Sequence, residues 1–203
     1  MSFSPEQPHP SFVVLKDFVE TAFERRFQSL LQTAWRNRSW HVIAAVPGSG
    51  KSLGIHDLLL RSYGHKQGDP ARTGLPILAI RAPKNAGREQ VLGMALASAF
   101  GVVRQMPWSV RRSWLVQIMA QTDVQCIVID DAQDLHVSHL AFLKELTDNL
   151  AAPPYERQIG LCLVAAHSGH AVPFQATFAG PEILWRQFRR RMDTERPYCI
   201  VLG

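Results

Sequence analysis

The apolar run Val42-Ile43-Ala44 passes directly into Ala45-Val46-Pro47-Gly48-Ser49-Gly50-Lys51-Ser52. A buried strand that breaks into a glycine-rich loop, and then into a helix over Leu53 to Leu60, restricts the chain to an α/β arrangement. Gly48 and Gly50 let the backbone curl so that successive N–H groups point inward, and the helix start adds its positive end. Such a loop cradles phosphate. Pro47, Gly48, Ser49, Gly50, Lys51, Ser52 and Leu53 are therefore the candidate nucleotide-binding residues. Lys51 supplies a mobile charge for the β- and γ-phosphates of ATP, and the Ser52 hydroxyl suits a Mg²⁺ shell. The usual spacing, Gly-x4-Gly-Lys-Ser/Thr, asks for glycine at position 45, where this chain has alanine.

With 203 residues and 46% hydrophobic content the chain can bury a full core, expected to be one domain over residues 14–203 preceded by an extended arm over 1–13. Apolar stretches are too short to cross a bilayer, and the first ten residues lack a basic start and an apolar core, so a cytoplasmic protein without a membrane partner is expected. Cys126, Cys162 and Cys199 are far apart and lie in or near apolar runs, which favours buried free thiols over disulfides or a zinc site. The net charge of +5 comes mostly from arginine, a side chain suited to planar recognition of phosphate. A polyanionic partner and an ordinary basic surface fit that charge equally.

Helical spacing of Phe18, Val19, Ala22, Phe23, Phe27, Leu30, Leu31 and Ala34 predicts an amphipathic helix over Val14 to Arg36. Further strands are expected at Leu75 to Arg81, Val124 to Ile129, Ile159 to Ala166 and Tyr198 to Leu202. Helices are expected over Asn85 to Phe100, Ser109 to Thr122, His139 to Leu150 and Pro181 to Met192, with turns over Tyr63 to Gly74. Strands alternating with helices predict a mainly parallel sheet flanked by helices on both faces.

The run Cys126-Ile127-Val128-Ile129 ends in Asp130-Asp131-Ala132-Gln133. An acid at the carboxyl end of a buried strand, downstream of a phosphate loop, is a Walker B pattern. Asp130 is the candidate metal residue together with Ser52, and Asp131 the candidate for orienting or deprotonating water.

The order of these parts resembles the AAA+ ATPases, most closely the TniB/TnsC type of transposition regulators. Asp130-Asp131-Ala132-Gln133 is similar to that family's Asp-Glu-Ala-Gln stretch, with an acid one methylene shorter at Asp131. Phe142-Leu143-Lys144-Glu145-Leu146 with Asn149-Leu150 resembles its Lys-x-Leu-x-Asn helix. The resemblance implies a P-loop NTPase fold of the AAA+ kind, with a lid domain short or absent because the chain stops soon after Arg191. It also implies ATP hydrolysis with Mg²⁺, slowed by the shorter acid. Leu163 to His167 occupies the strand that ends at the γ-phosphate sensor, with His167 and Ser168 in place of the usual small polar residue. Ile183 to Met192 resembles the segment carrying the arginine finger. Three consecutive helical arginines, Arg189, Arg190 and Arg191, point about 100° apart; Arg190 and Arg191 are the finger candidates, against a basic helix end that complements its own dipole.

The function implied is an ATP-dependent, DNA-binding regulator of transposition. It would assemble as a homo-oligomer, a ring or helical filament, on double-stranded DNA and mark a target for a transposase, with a target-selection adaptor protein as a further partner. Alternatives are a nucleotide switch acting through protein partners and a helicase-loader-like ATPase. Related ATPases place DNA-facing structure after the second strand, which makes Lys84, Arg88, Arg104, Arg111 and Arg112 the candidate DNA contacts. A solvated helix face explains Arg111 and Arg112 equally well, and Trp108 and Trp114 read as core.

Overall fold

The computed structural model describes residues 21–64, 76–84, 87–102, 105–167 and 172–201. Five strands, β1 (Trp40–Ala45), β2 (Ile77–Arg81), β3 (Cys126–Asp130), β4 (Gly160–Ala166) and β5 (Tyr198–Val201), form one sheet in the order β2-β3-β4-β1-β5. Every pairing in it is parallel. The expected parallel sheet flanked by helices is thus present.

Alternate residues of each strand point to opposite faces. Ile43, Ala45, Cys126, Val128, Cys162 and Val164 face one way, against α1 (Ala22–Asn37) and α2 (Lys51–Gly64). Val42, Ile127, Ile129, Leu161 and Leu163 face the other way. That side is covered by α3 (Glu89–Ala99), α4 (Trp108–Gln121), α5 (Val137–Ala151), α6 (Gln175–Ala179) and α7 (Ile183–Arg189). Strands apolar on both faces are what a doubly covered parallel sheet requires.

Helix α1 starts where the Thr21 hydroxyl accepts the Glu24 N–H at 3.1 Å and ends at Arg38, whose φ of 55° is left-handed. Its buried stripe is Phe23, Phe27, Leu30, Leu31 and Ala34, as the spacing requires. It lies very close to the sheet: a Cβ on Gly160 would stand 2.3 Å from the Ala34 carbonyl oxygen. Cys126, Cys162 and Cys199 are free and buried.

Several boundaries differ from the sequence reading. Helix α3 begins at Glu89, not Asn85, because Arg88 is an extended N-cap with φ −102° and ψ 126°. The last helical region holds two short helices rather than one, α6 and α7, with Gly180 extended at ψ 153° between them. Helix α2 continues to Gly64, past the expected start of the turns. The arm over 1–13, Val14 to Glu20, most of the turn-rich connection, Arg104 and Ser168 lie outside the described residues. No helix among the described residues is long and apolar enough to cross a membrane.

The chain leaves β1 through α2 on one face, whereas it leaves β4 through α6 and α7 on the other. The carboxyl ends of these neighbouring strands therefore flank a crevice, the position where open α/β sheets bind ligands.

Candidate nucleotide site

Ala45 is the last residue of β1, buried and paired in register with Ala166 and Val201. An ordinary strand conformation needs no glycine, which explains the tolerated alanine. Beyond it Ser49 N–H donates to the Val46 oxygen at 3.2 Å, and Gly48 and Gly50 take φ values of 79° and 92°. Both are left-handed conformations that a side chain resists. A Cβ built on either glycine meets nothing within 4 Å, so the loop curls around open space. Helix α2 starts at once with Lys51, and its Gly54 N–H bonds back to the Gly50 oxygen at 2.9 Å. Pro47 and Leu53 flank the loop as exposed residues.

Lys51 is 8% exposed, and its Nζ rests on the loop's own carbonyls, 3.1 Å from the Val46 oxygen and 3.4 Å from that of Ala45. The Ser49 hydroxyl is buried and has no hydrogen-bond partner among the described residues. A buried hydroxyl, inward amide groups and a parked ammonium around open space fit a polyphosphate. Ser52 Oγ donates to Asp130 Oδ2 at 2.5 Å, across 78 residues of sequence. Two hard oxygens joined in this way match the donor set of a Mg²⁺ site.

Asp131 follows at φ 52°, a left-handed conformation open to aspartate. It is held by Arg81, the last residue of β2, whose Nε and Nη2 each stand 2.5 Å from Asp131 Oδ2. Gln133 Nε2 lies 3.4 Å from the other oxygen. Partial burial pushes the Asp131 carboxyl up, but the hydrogen bonds from Arg81 and Gln133 and the charges of Arg81 and Lys84 outweigh it, so its pKa falls below the ordinary carboxylate value. Arg81 entered the sequence reading only as a strand end. A cation one strand over from the paired acids is the signal that could have found it, and it becomes visible only once β2 is known to lie beside β3.

His167 is buried directly after β4, its N–H donating to the Ala45 oxygen at 2.8 Å. The fold thus gathers the loop residues, Ser52, Asp130, Asp131 and His167 at one end of the sheet.

The arginines at the end of α7 and just beyond it, Arg189, Arg190 and Arg191, lie at the other end. Arg191 covers the ring of Trp40, the first residue of β1, at 5.2 Å from its centroid, and pairs with Asp148 of α5. Arg189 donates to the Phe178 and Gly180 oxygens. Arg190 is exposed, and its side chain makes no hydrogen bond or ion pair with another described residue. Six strand residues at about 3.3 Å each separate this end from the phosphate loop, so neither Arg190 nor Arg191 serves its own loop.

Of the candidate DNA contacts, Lys84 and Arg88 are exposed. Lys84 lines a cleft of about 350 Å³ with Gln133, Asp134, Leu135 and His136. Arg112 is committed within the subunit: it pairs with Glu145 of α5, approaches Glu89 of α3 at 3.9 Å and covers the Trp108 ring. Arg111 is half-buried. Trp108 and Trp114 pack against the core, on Phe142 and Phe100 respectively, as read from sequence.

Residues 35–170, more than half of the chain, match the AAA domain family. The chain belongs to that family. No curated protein matches it significantly. Among solved structures, Cdc6p from Pyrobaculum aerophilum is similar with a TM-score of 0.58 and 19% identity, covering 95% of this chain and 48% of its own. The Aeropyrum pernix ORC2 protein, solved as ADPNP and ADP complexes, has a TM-score of 0.56 and 15% identity, covering 90% of this chain and 46% of its own. The Aeropyrum pernix ORC1 protein in complex with DNA has a TM-score of 0.52 and 16% identity, covering 90% and 44%. The AAA chain spans about half the length of these structures, and at such identities the likeness is one of fold.

Proposed function

We propose that the chain is an ATPase of the AAA+ class that acts as an ATP-dependent, DNA-binding regulator of transposition. The observation that carries the nucleotide chemistry is the Ser52–Asp130 contact beside Lys51 and Asp131. Ser52 and Asp130 would hold Mg²⁺, which neutralises phosphate charge and orients the phosphates when bound. Lys51 leaves the Ala45 and Val46 carbonyls for the β- and γ-phosphates. Asp131 orients the attacking water and accepts its proton, and His167 stands at the γ-phosphate end of β4.

Assembly on duplex DNA is supported by the basic charge, by exposed Lys84 and Arg88, and by exposed Arg190 at the end remote from the loop. A guanidinium so placed would complete a neighbouring subunit's site in a ring or filament. The transposition reading, with a transposase and an adaptor protein as partners, is supported by the resemblance of Asp130 to Gln133 and of the Lys144 to Leu150 helix to the TniB/TnsC type. On this reading residues 14–203 are the ATPase core and 1–13 an arm. A helicase-loader-like ATPase, compatible with the fold shared with Cdc6p and the ORC proteins, is the second reading.

Electron microscopy with a non-hydrolysable ATP analogue and duplex DNA tests the first reading. It expects ordered assemblies on DNA that vanish in Lys51→Ala. A cognate transposase redirected by those assemblies separates it from the second reading, which expects a replicative helicase to be the responding partner.

A further inference from the structure

Gln133 lies in the 3-10 turn Ala132–Asp134 that follows Asp131. Its side chain joins two parts of the site: Oε1 accepts the Ala166 N–H at 2.8 Å, and Nε2 lies 3.4 Å from Asp131 Oδ1. Strands β3 and β4 pair only as far as Ile129 and Leu163, so Ala166 extends beyond the reach of β3. The Gln133 amide takes over the missing strand's acceptor role there.

Both ends of that amide are chemically fixed. A backbone N–H only donates, so the amide oxygen faces Ala166; an ionised carboxylate only accepts, so the NH₂ faces Asp131. Beyond Ala166, the His167 N–H donates to the Ala45 oxygen at 2.8 Å, and Lys51 Nζ rests on that same oxygen at 3.4 Å. One side chain therefore connects the water-orienting acid to the strand end beside the γ-phosphate position, and through it to the resting place of the phosphate-loop lysine. An amide has no basic lone pair near neutral pH, so Gln133 is not itself a base.

We propose that Gln133 is a positioning residue for hydrolysis: its amide ties the Asp131 carboxylate to the carboxyl end of β4 and so holds the acid in the orientation that directs water. This rests on the ATPase reading above. The groups facing Asp131 are Arg81 from β2, Lys84 from the segment after it, Asp130 from β3 and Gln133 itself.

A plain strand cap would need only the oxygen that accepts from Ala166, and Gln133→Glu keeps that oxygen while removing the donor to Asp131. Gln133→Leu removes both. The test compares the three proteins by melting temperature and by kcat and KM for ATP. Gln133→Glu is expected to melt like the wild type and keep KM within about twofold, while kcat drops by about tenfold or more, as misorientation of a water-directing group requires. Gln133→Leu is expected to lower both kcat and melting temperature. A Gln133→Glu protein with wild-type kcat reduces Gln133 to a strand cap and overturns the proposal alone. A wild-type protein that does not hydrolyse ATP overturns the ATPase reading and this inference with it.

Discussion

Two nitrogens of Arg81, Nε and Nη2, converge on a single oxygen of Asp131, each at 2.5 Å. The guanidinium is 66% exposed, whereas the carboxylate is 21% exposed. An acid that is to direct water is thus held by a neighbour open to solvent and to anionic ligands, which lowers its basicity. Arg81→Ala is expected to raise the Asp131 pKa and to increase steady-state hydrolysis several-fold at neutral pH, where the freed carboxylate stays ionised. Colorimetric phosphate release checks it: reduced hydrolysis would show that the pair is part of the productive geometry, and unchanged hydrolysis that the pair does not restrain turnover. Because the folded pKa is lowered, the pair's contribution to stability is complete above the ordinary carboxylate value. It is lost as pH falls through the lowered one. Solvent screening at Arg81 keeps that contribution small.

Asp131→Asn should separate binding from turnover. The amide cannot take a proton from water, but no contact of Asp131 involves the phosphate loop, so affinity for ATP stays near wild type. Hydrolysis is expected to fall by about 10² to 10⁴-fold, the usual contribution of a general base. Titration calorimetry alongside phosphate release measures both, and full hydrolysis in the variant would move the base to another residue.

Arg190 is expected to matter for assembly alone. Arg190→Ala should bind ATP as a single subunit with near wild-type affinity, yet lose ATP-dependent oligomers in sedimentation velocity. Arg191→Ala also removes a contact on Trp40 and an ion pair to Asp148, so it lowers melting temperature as well. Equal assembly by wild type and Arg190→Ala would assign the finger elsewhere.

Gly160→Ala probes how tightly α1 lies on the sheet. The added Cβ would stand 2.3 Å from the Ala34 oxygen, a backbone atom, so the helix itself must shift. A destabilisation of about 1–3 kcal/mol is expected from overpacking of this kind, read as a lowered midpoint in urea unfolding. Wild-type stability would mean that α1 slides freely on β4.

The phosphate loop, the paired acids and the five strands were legible along the chain because each is a local signal: two glycines before Lys51-Ser52, acids closing an apolar run, and apolar runs bounded by turns. Helix ends were less legible, since Arg88 sets the start of α3 and Gly180 the end of α6 through backbone conformations that neighbouring residues do not dictate. Long-range partnership was not legible at all. Nothing in the order of residues says that Arg81 meets Asp131, that Arg112 is spent on Glu145, or that Gln133 reaches Ala166. Those contacts depend on β3 lying between β2 and β4 and on α4 lying beside α5. Sequence periodicity fixes which face of a strand or helix is buried, but the neighbour across that face is set by how the elements stack into one sheet. Charged side chains at strand ends acquire their partners, and so their chemistry, only in that stacking.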